Sequence, residues 1–296
     1  MQKMFLAYLA VLMLLPVCNS SQAQQRPQET RIYDQLDPRP YDPATEPDID
    51  MYMSNYRESN NRGLFGSMVE RDILTPLVGP DRMHPTRRGA VLTHIKLLSF
   101  VTLPTGQRVV NAKIDPALKE QRMFYCAGGN GTIESAGKTY TIYEGVGIII
   151  PPDITFSMHN SGTREMTFYV IAENLPDNFT PRKEIVWADE ASAGFSSNTV
   201  HWTHNYKTLF SRKSGLATIN CGPVWFMPMT MGQPHSHGEK TEEIWFSIHG
   251  DVKVMMGKEL REFQEGTAYK IPPNNQTPHS NINVTNEVVK VFWFMN

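Results

Sequence analysis

QPHSHGEKTEEIWFSIHG, residues 233–250, holds two histidines one residue apart, two adjacent glutamates and a strand-like apolar run closed by glycine. Alternate residues of a strand share a face, so His235 and His237 project together. Read backwards, the same face would carry Gln233, Met231, Met229, Met227 and Trp225, an apolar stripe ending in two imidazoles. That is the expected look of a barrel's inner wall. After the turn GEKT, Glu242 and Glu243 open the next strand, and His279 follows Pro278 on a later one. Histidines and a carboxylate gathered from neighbouring strands suit one divalent transition metal with open positions: Mn, Fe, Ni, Co or Zn. The alternative is a set of satisfied polar groups with no metal.

Outward from this stretch, short runs rich in Val, Ile, Thr, Phe and Tyr alternate with Gly, Pro and Asn turns, as in TYTIYEGVGIII (139–150) and EVVKVFWFM (287–295). Regular short strands indicate an all-β sandwich or barrel. The chain also repeats itself. KEQRMFYCAGGNGTI (119–133) lies over TEEIWFSIHGDVKVM (241–255), so Gln121 and Gly128 match Glu243 and Gly250. Downstream, Gly145 and Pro151 match Gly266 and Pro272, and His159 falls near His279. Two β units are expected, at 86–175 and 206–296, joined by a linker at 176–205. Lys113, Asp115 and Gln121 would stand where the second unit has His235, His237 and Glu243. A lysine repels a cation, so the first unit is expected to hold no metal.

The second unit resembles a cupin: two histidines, a glutamate and Gly250, then Gly266, Pro272, His279 and Asn283. With the repeat, the resemblance implies two tandem cupin-like barrels of the jelly-roll (double-stranded β-helix) type, a bicupin, metal-bearing only in the second. It implies His235, His237, Glu243 and His279 as ligands. Glu242 fits the usual gap after the second histidine and Glu243 the gap to the glycine; Glu243 is favoured because its face would carry Trp245, Ser247 and His249. Glu243 and His249 are the candidate catalytic groups, and Trp245, Gln233 and Asn283 the candidate substrate contacts.

By resemblance to metal-bearing cupins, an oxidoreductase of dioxygenase or oxalate type, acting on a small organic acid, phenolic or sugar-derived substrate, is the leading reading. A metal-dependent sugar isomerase or lyase follows, and then a non-enzymatic binding module for a sugar or organic acid.

The 296 residues are 40% hydrophobic and 20% charged with net charge −2, enough for a sizeable core and without the basic surplus that nucleic acid demands. A small-molecule partner is therefore expected, with homo-oligomerisation left open. Lys3, an apolar run from Met4 to Val17 and a polar segment ending in Ser21-Gln22-Ala23 have the layout of a secretory signal peptide, residues 1–23. A secreted or periplasmic protein with no transmembrane segment in the mature chain follows, with lipid anchoring at Cys18 a lesser alternative. Residues 24–85, rich in Pro, Asp, Gln and Glu at their start, read as an extended N-terminal arm. Cys126 and Cys221 remain after cleavage, and sequence alone does not say whether they pair.

Overall fold

The computed structural model describes residues 46–196 and 203–296. Their alternating apolar runs form four sheets that close into two β-barrels. In the second, a six-stranded sheet runs in the order Met53–Asn55, Thr267–Lys270, Glu243–His249, Val289–Met295, Asn220–Phe226, His204–Tyr206. It faces a four-stranded sheet of Thr230–Met231, His279–Asn283, Val252–Met256 and Glu259–Phe263. The first barrel repeats this layout. Glu120–Gly128 lies between Val146–Ile150 and Met166–Asn174, and Ile95–Leu103 and Met68–Pro76 continue the sheet. Its second sheet is Arg108–Ala112, Phe156–His159, Asn130–Ser135, Lys138–Tyr143.

Strand alternation separates three apolar layers. Phe124, Ile148, Val170 and Phe168 fill the first barrel. Val224, Trp245, Val254 and Tyr269 fill the second. The opposite faces of the same strands, Met123, Tyr125 and Ile171 against Ile244, Phe246 and Phe292, pack the barrels together. Tyr169 stacks on Phe246 at a centroid distance of 4.4 Å and donates its hydroxyl to the Ser247 carbonyl at 2.8 Å. Burying a large apolar side chain stabilises by about 1.5–3 kcal/mol, so this middle layer welds the barrels firmly.

Two buried carboxylates stitch the same seam. Glu242 accepts from the backbone N–H groups of Thr93 (2.6 Å), His94 (3.1 Å) and Ile95 (2.9 Å), at the entry to a first-barrel strand. Glu173 reciprocates, accepting from Ala217 (2.9 Å), Thr218 (2.6 Å) and Ile219 (3.2 Å), at the entry to a second-barrel strand.

The extended arm expected over 24–85 is corrected where it is described. Met68–Pro76 is an integral strand of the first barrel. Met53–Asn55 instead pairs with Thr267–Lys270, and Ile49 and Met53 join the second barrel's core. Within the expected linker, Val186–Asp189 pairs with Val146–Ile150 of the first barrel, and His204–Tyr206 pairs with Asn220–Phe226 of the second. The expected signal peptide and Cys18 lie outside the described residues. Among those described, no helix is long and apolar enough to cross a membrane. Cys126 and Cys221 are buried free thiols.

Candidate metal centre

Glu243 opens a central strand of the second barrel, with Trp245 and Ser247 on its inner face and Ile244, Phe246 and Ile248 turned toward the first barrel. The carboxylate therefore enters the barrel. Its neighbour Glu242 faces the seam, where it also meets Lys270 Nζ at 2.9 Å. Burial works against ionisation of Glu242, but the Lys270 ammonium and the Thr93 donors outweigh it and hold this carboxyl below its ordinary range. Strand face thus places Glu243, and not Glu242, beside the histidines.

His235 is bridged to His279 by a pair of backbone hydrogen bonds, 3.2 and 2.8 Å, and His237 follows two residues after His235. The ring centroids of His235 and His279 are 4.4 Å apart, and those of His235 and His237 5.0 Å. Glu243 Oε2 is 2.6 Å from His237 Nε2 and 3.4 Å from His279 Nε2. One donor atom from each of His235, His237, Glu243 and His279 falls within 4.8 Å of all the others. A common centre about 2.1 Å from each donor asks for separations up to about 4.2 Å, within small side-chain adjustments of this arrangement.

The donor chemistry fits a divalent transition ion. His279 is fully buried and Glu243 nearly so. Burial holds the His235 imidazole below the usual histidine range, against the opposing effect of the Gln233 carbonyl, and so favours the neutral form a metal needs. That carbonyl lies 3.0 Å from His235 Nδ1, which leaves Nε2 with the lone pair for ligation.

Not every expected site residue belongs here. Trp245 does, buried with its ring 6.5 Å from that of His279. Gln233 contributes its backbone carbonyl, while its side chain points to solvent. His249 is corrected: it sits six residues along the strand from Glu243, roughly 20 Å away, half-exposed and facing Glu144 at 3.4 Å and Glu265 at 3.9 Å. Asn283 is also corrected: it is buried, and its amide donates to the Phe226 carbonyl at 3.0 Å and the Glu287 carbonyl at 2.7 Å, pinning a turn. Asn160 makes the same bonds in the first barrel, to Leu103 and Arg164, which marks the role as architectural. The apolar stripe of Met227, Met229 and Met231 is exposed, because a turn with Met229 at φ 55° interrupts the strand alternation.

Strand registers revise the counterparts in the first barrel. Phe124 and Trp245 hold the same place between their neighbours, so Glu243 corresponds to Arg122. Gly250 then corresponds to Gly129, both left-handed at φ 86° and 79°, rather than to Gly128. The bridge between His235 and His279 is matched by the pair Ala112 and Phe156. His237, whose carbonyl accepts from Asn275 N–H, is matched by Ile114, which accepts likewise from Asp153. Lys113, Asp115, Gln121 and His159 are therefore not the counterparts. Lys113 is exposed and paired with Asp153, and Gln121 donates to Glu173 in the seam. Three of the four ligand positions are apolar and the fourth is a guanidinium engaged with Glu120 and Glu70. The residues at the matching positions, Ala112, Ile114, Arg122 and Phe156, are thus not the side chains the sequence suggested.

Residues 224–295 match the family model described as a cupin domain, and the four converging side chains lie within that span. The fold is a cupin fold. Solved structures share it over most of the chain. Vicilin from Corylus avellana (hazelnut) has a TM-score of 0.61 at 11% identity, covering 83% of this chain and 85% of its own. Protein Ylba from E. coli has 0.61 at 12%, covering 82% and 89%. Oxalate decarboxylase from Lactobacillus farciminis, solved as a formate complex, has 0.58 at 15%, covering 82% and 85%. No curated protein sequence matches the chain. Identities this low establish the cupin fold alone.

The sequence reading passed over Tyr269 and Asn281, both fully buried and hydrogen-bonded to each other at 2.8 Å inside the second cupin barrel. Asn281 lies two residues beyond His279, so simple alternation puts both on the ligand face.

Proposed function

We propose that this chain is an exported bicupin enzyme holding one divalent transition metal through His235, His237, Glu243 and His279. It acts as an oxidoreductase, of dioxygenase or oxalate type, on a small organic acid, phenolic or sugar-derived substrate. The observation that carries the reading is the convergence of three imidazoles and one carboxylate on a common point inside a barrel. Placing an anionic carboxylate in such a site is costly unless a cation compensates it. When bound, the metal would act as a Lewis acid toward substrate oxygens, with open positions left by a four-ligand set.

The chain's own residues supply the rest. The Gln233 carbonyl fixes the His235 tautomer. Trp245 and the surrounding core restrict water on the deep side. Tyr269 is held well above the ordinary phenol range, first by burial and then by Glu243, so it stays a proton donor.

The test is elemental analysis of purified protein followed by oxygen uptake with a panel of carboxylic acids and phenols. Iron or manganese at one equivalent with oxygen consumption supports the reading. Turnover without oxygen shifts it to an isomerase or lyase. Absence of bound metal leaves a binding module. Export is tested by locating the protein and sequencing its mature N-terminus.

A further inference from the structure

The deep side of the proposed metal centre carries a polar pair with one donor left over. Tyr269 and Asn281 are buried among Val254, Met256, Phe226 and Trp245. The Tyr269 hydroxyl donates to Asn281 Oδ1 at 2.8 Å. That bond fixes the amide: the oxygen is taken, and Nδ2 is presented as a donor. Among the described residues Nδ2 has no hydrogen-bond partner. A buried donor without an acceptor is expensive in a native core, and such groups recur where a ligand completes them.

Position adds direction. Asn281 stands two residues beyond His279 on the same face, about 7 Å along the strand. A compact molecule reaching from the four-ligand cluster would meet Nδ2 next. Only an acceptor atom satisfies it. A divalent ion beside a single glutamate also leaves net positive charge, which favours an anion.

We propose that Asn281, oriented by Tyr269, is a substrate-binding residue that receives one carboxylate oxygen of a short-chain organic acid held at the metal. The inference rests on the metal reading above and narrows its substrate class. Tyr269 acts through Asn281 and is a positioning residue.

Cobalt(II)-loaded protein tests this without requiring turnover, because its visible absorption changes when a ligand joins the ion. Pyruvate is the titrant and erythritol the neutral control. Cobalt content and thermal transition are measured on every preparation. Asn281→Leu is expected to keep its cobalt and to bind pyruvate at least tenfold more weakly, as befits loss of a hydrogen bond to a charged group. Tyr269→Phe, which removes a single oxygen, is expected to retain cobalt and to weaken pyruvate about threefold by releasing the amide. Asn281→Ser, which keeps one donor, is expected to fall between wild type and Asn281→Leu. Wild-type pyruvate affinity in both Asn281→Leu and Tyr269→Phe would overturn the assignment and leave Nδ2 to a water molecule. Erythritol binding as well as pyruvate would overturn the acid class. A wild-type protein that takes up no cobalt removes the metal reading itself, and this inference with it.

Discussion

Glu242 and Glu243 are adjacent in the chain and point to opposite sides of one strand. The first meets Lys270 at 2.9 Å in the seam between barrels, and the second meets His237 at 2.6 Å inside the barrel. One carboxylate thus serves assembly and the other the proposed chemistry, separated only by the two-residue period of the strand.

Metal content should follow the inner face alone. His237→Ala and His279→Ala are expected to lose the metal, and Lys113→Ala to keep wild-type stoichiometry of about one ion per chain. Elemental analysis after desalting decides it. Equal retention in all three variants would place the metal elsewhere.

The outer face should govern stability. Breaking a buried ion pair leaves an uncompensated charge at a cost of roughly 3–5 kcal/mol. Lys270→Met and Glu242→Gln are each expected to lose stability on that scale in urea unfolding, with the double variant losing less than the sum. Additive losses would show that the two side chains are not coupled.

Acid should weaken the same clamp. The folded-state pKa of Glu242 is held below the ordinary value of 4.5. A depressed carboxylate contributes stability above its unfolded pKa, and that contribution is lost as pH falls through the folded value. Urea midpoints of the wild type should therefore decline as pH drops below about 4.5, and Glu242→Gln should flatten that limb. Parallel declines in the two proteins would assign the acid sensitivity to other groups.

The thiols should be silent in the folded state. Cys126 is pushed up to about 12 by burial, and burial raises Cys221 further. Neither should react with a thiol reagent at neutral pH, and both should react after denaturation without reductant. A disulfide seen by mass spectrometry would contradict the free thiols.

The barrels and the convergence of four candidate metal-binding side chains were legible because both rest on alternation and repetition. His235, His237, Glu243 and His279 could be read from strand faces, and the internal repeat announced two similar units. Finer matching failed by one residue at Gly128. The doublet Gly128-Gly129 offers two glycines for one place, and Gly129 is the one in the left-handed conformation of Gly250. That slip sent Glu243 to Gln121 instead of Arg122. The methionine stripe failed because strand alternation was carried through Pro228, which opens the turn at Met229. His249 failed because it shares a face with Glu243 but not a height in the barrel. Met53–Asn55 was hidden in the arm because a three-residue strand has too few positions to show a period, and its partner lies more than two hundred residues away.

The strand Met53–Asn55 is made early and needed late. Its docking site on Thr267–Lys270 leaves the ribosome about ten to forty seconds afterwards at ordinary elongation rates of about 5–20 residues per second. Until then this stretch has no sheet to join, and the second barrel cannot be finished from its own sequence alone. Synthesis of Thr267–Lys270 is thus the event that fastens Met53–Asn55, and a nascent product halted before residue 267 would carry an open edge for another molecule to occupy.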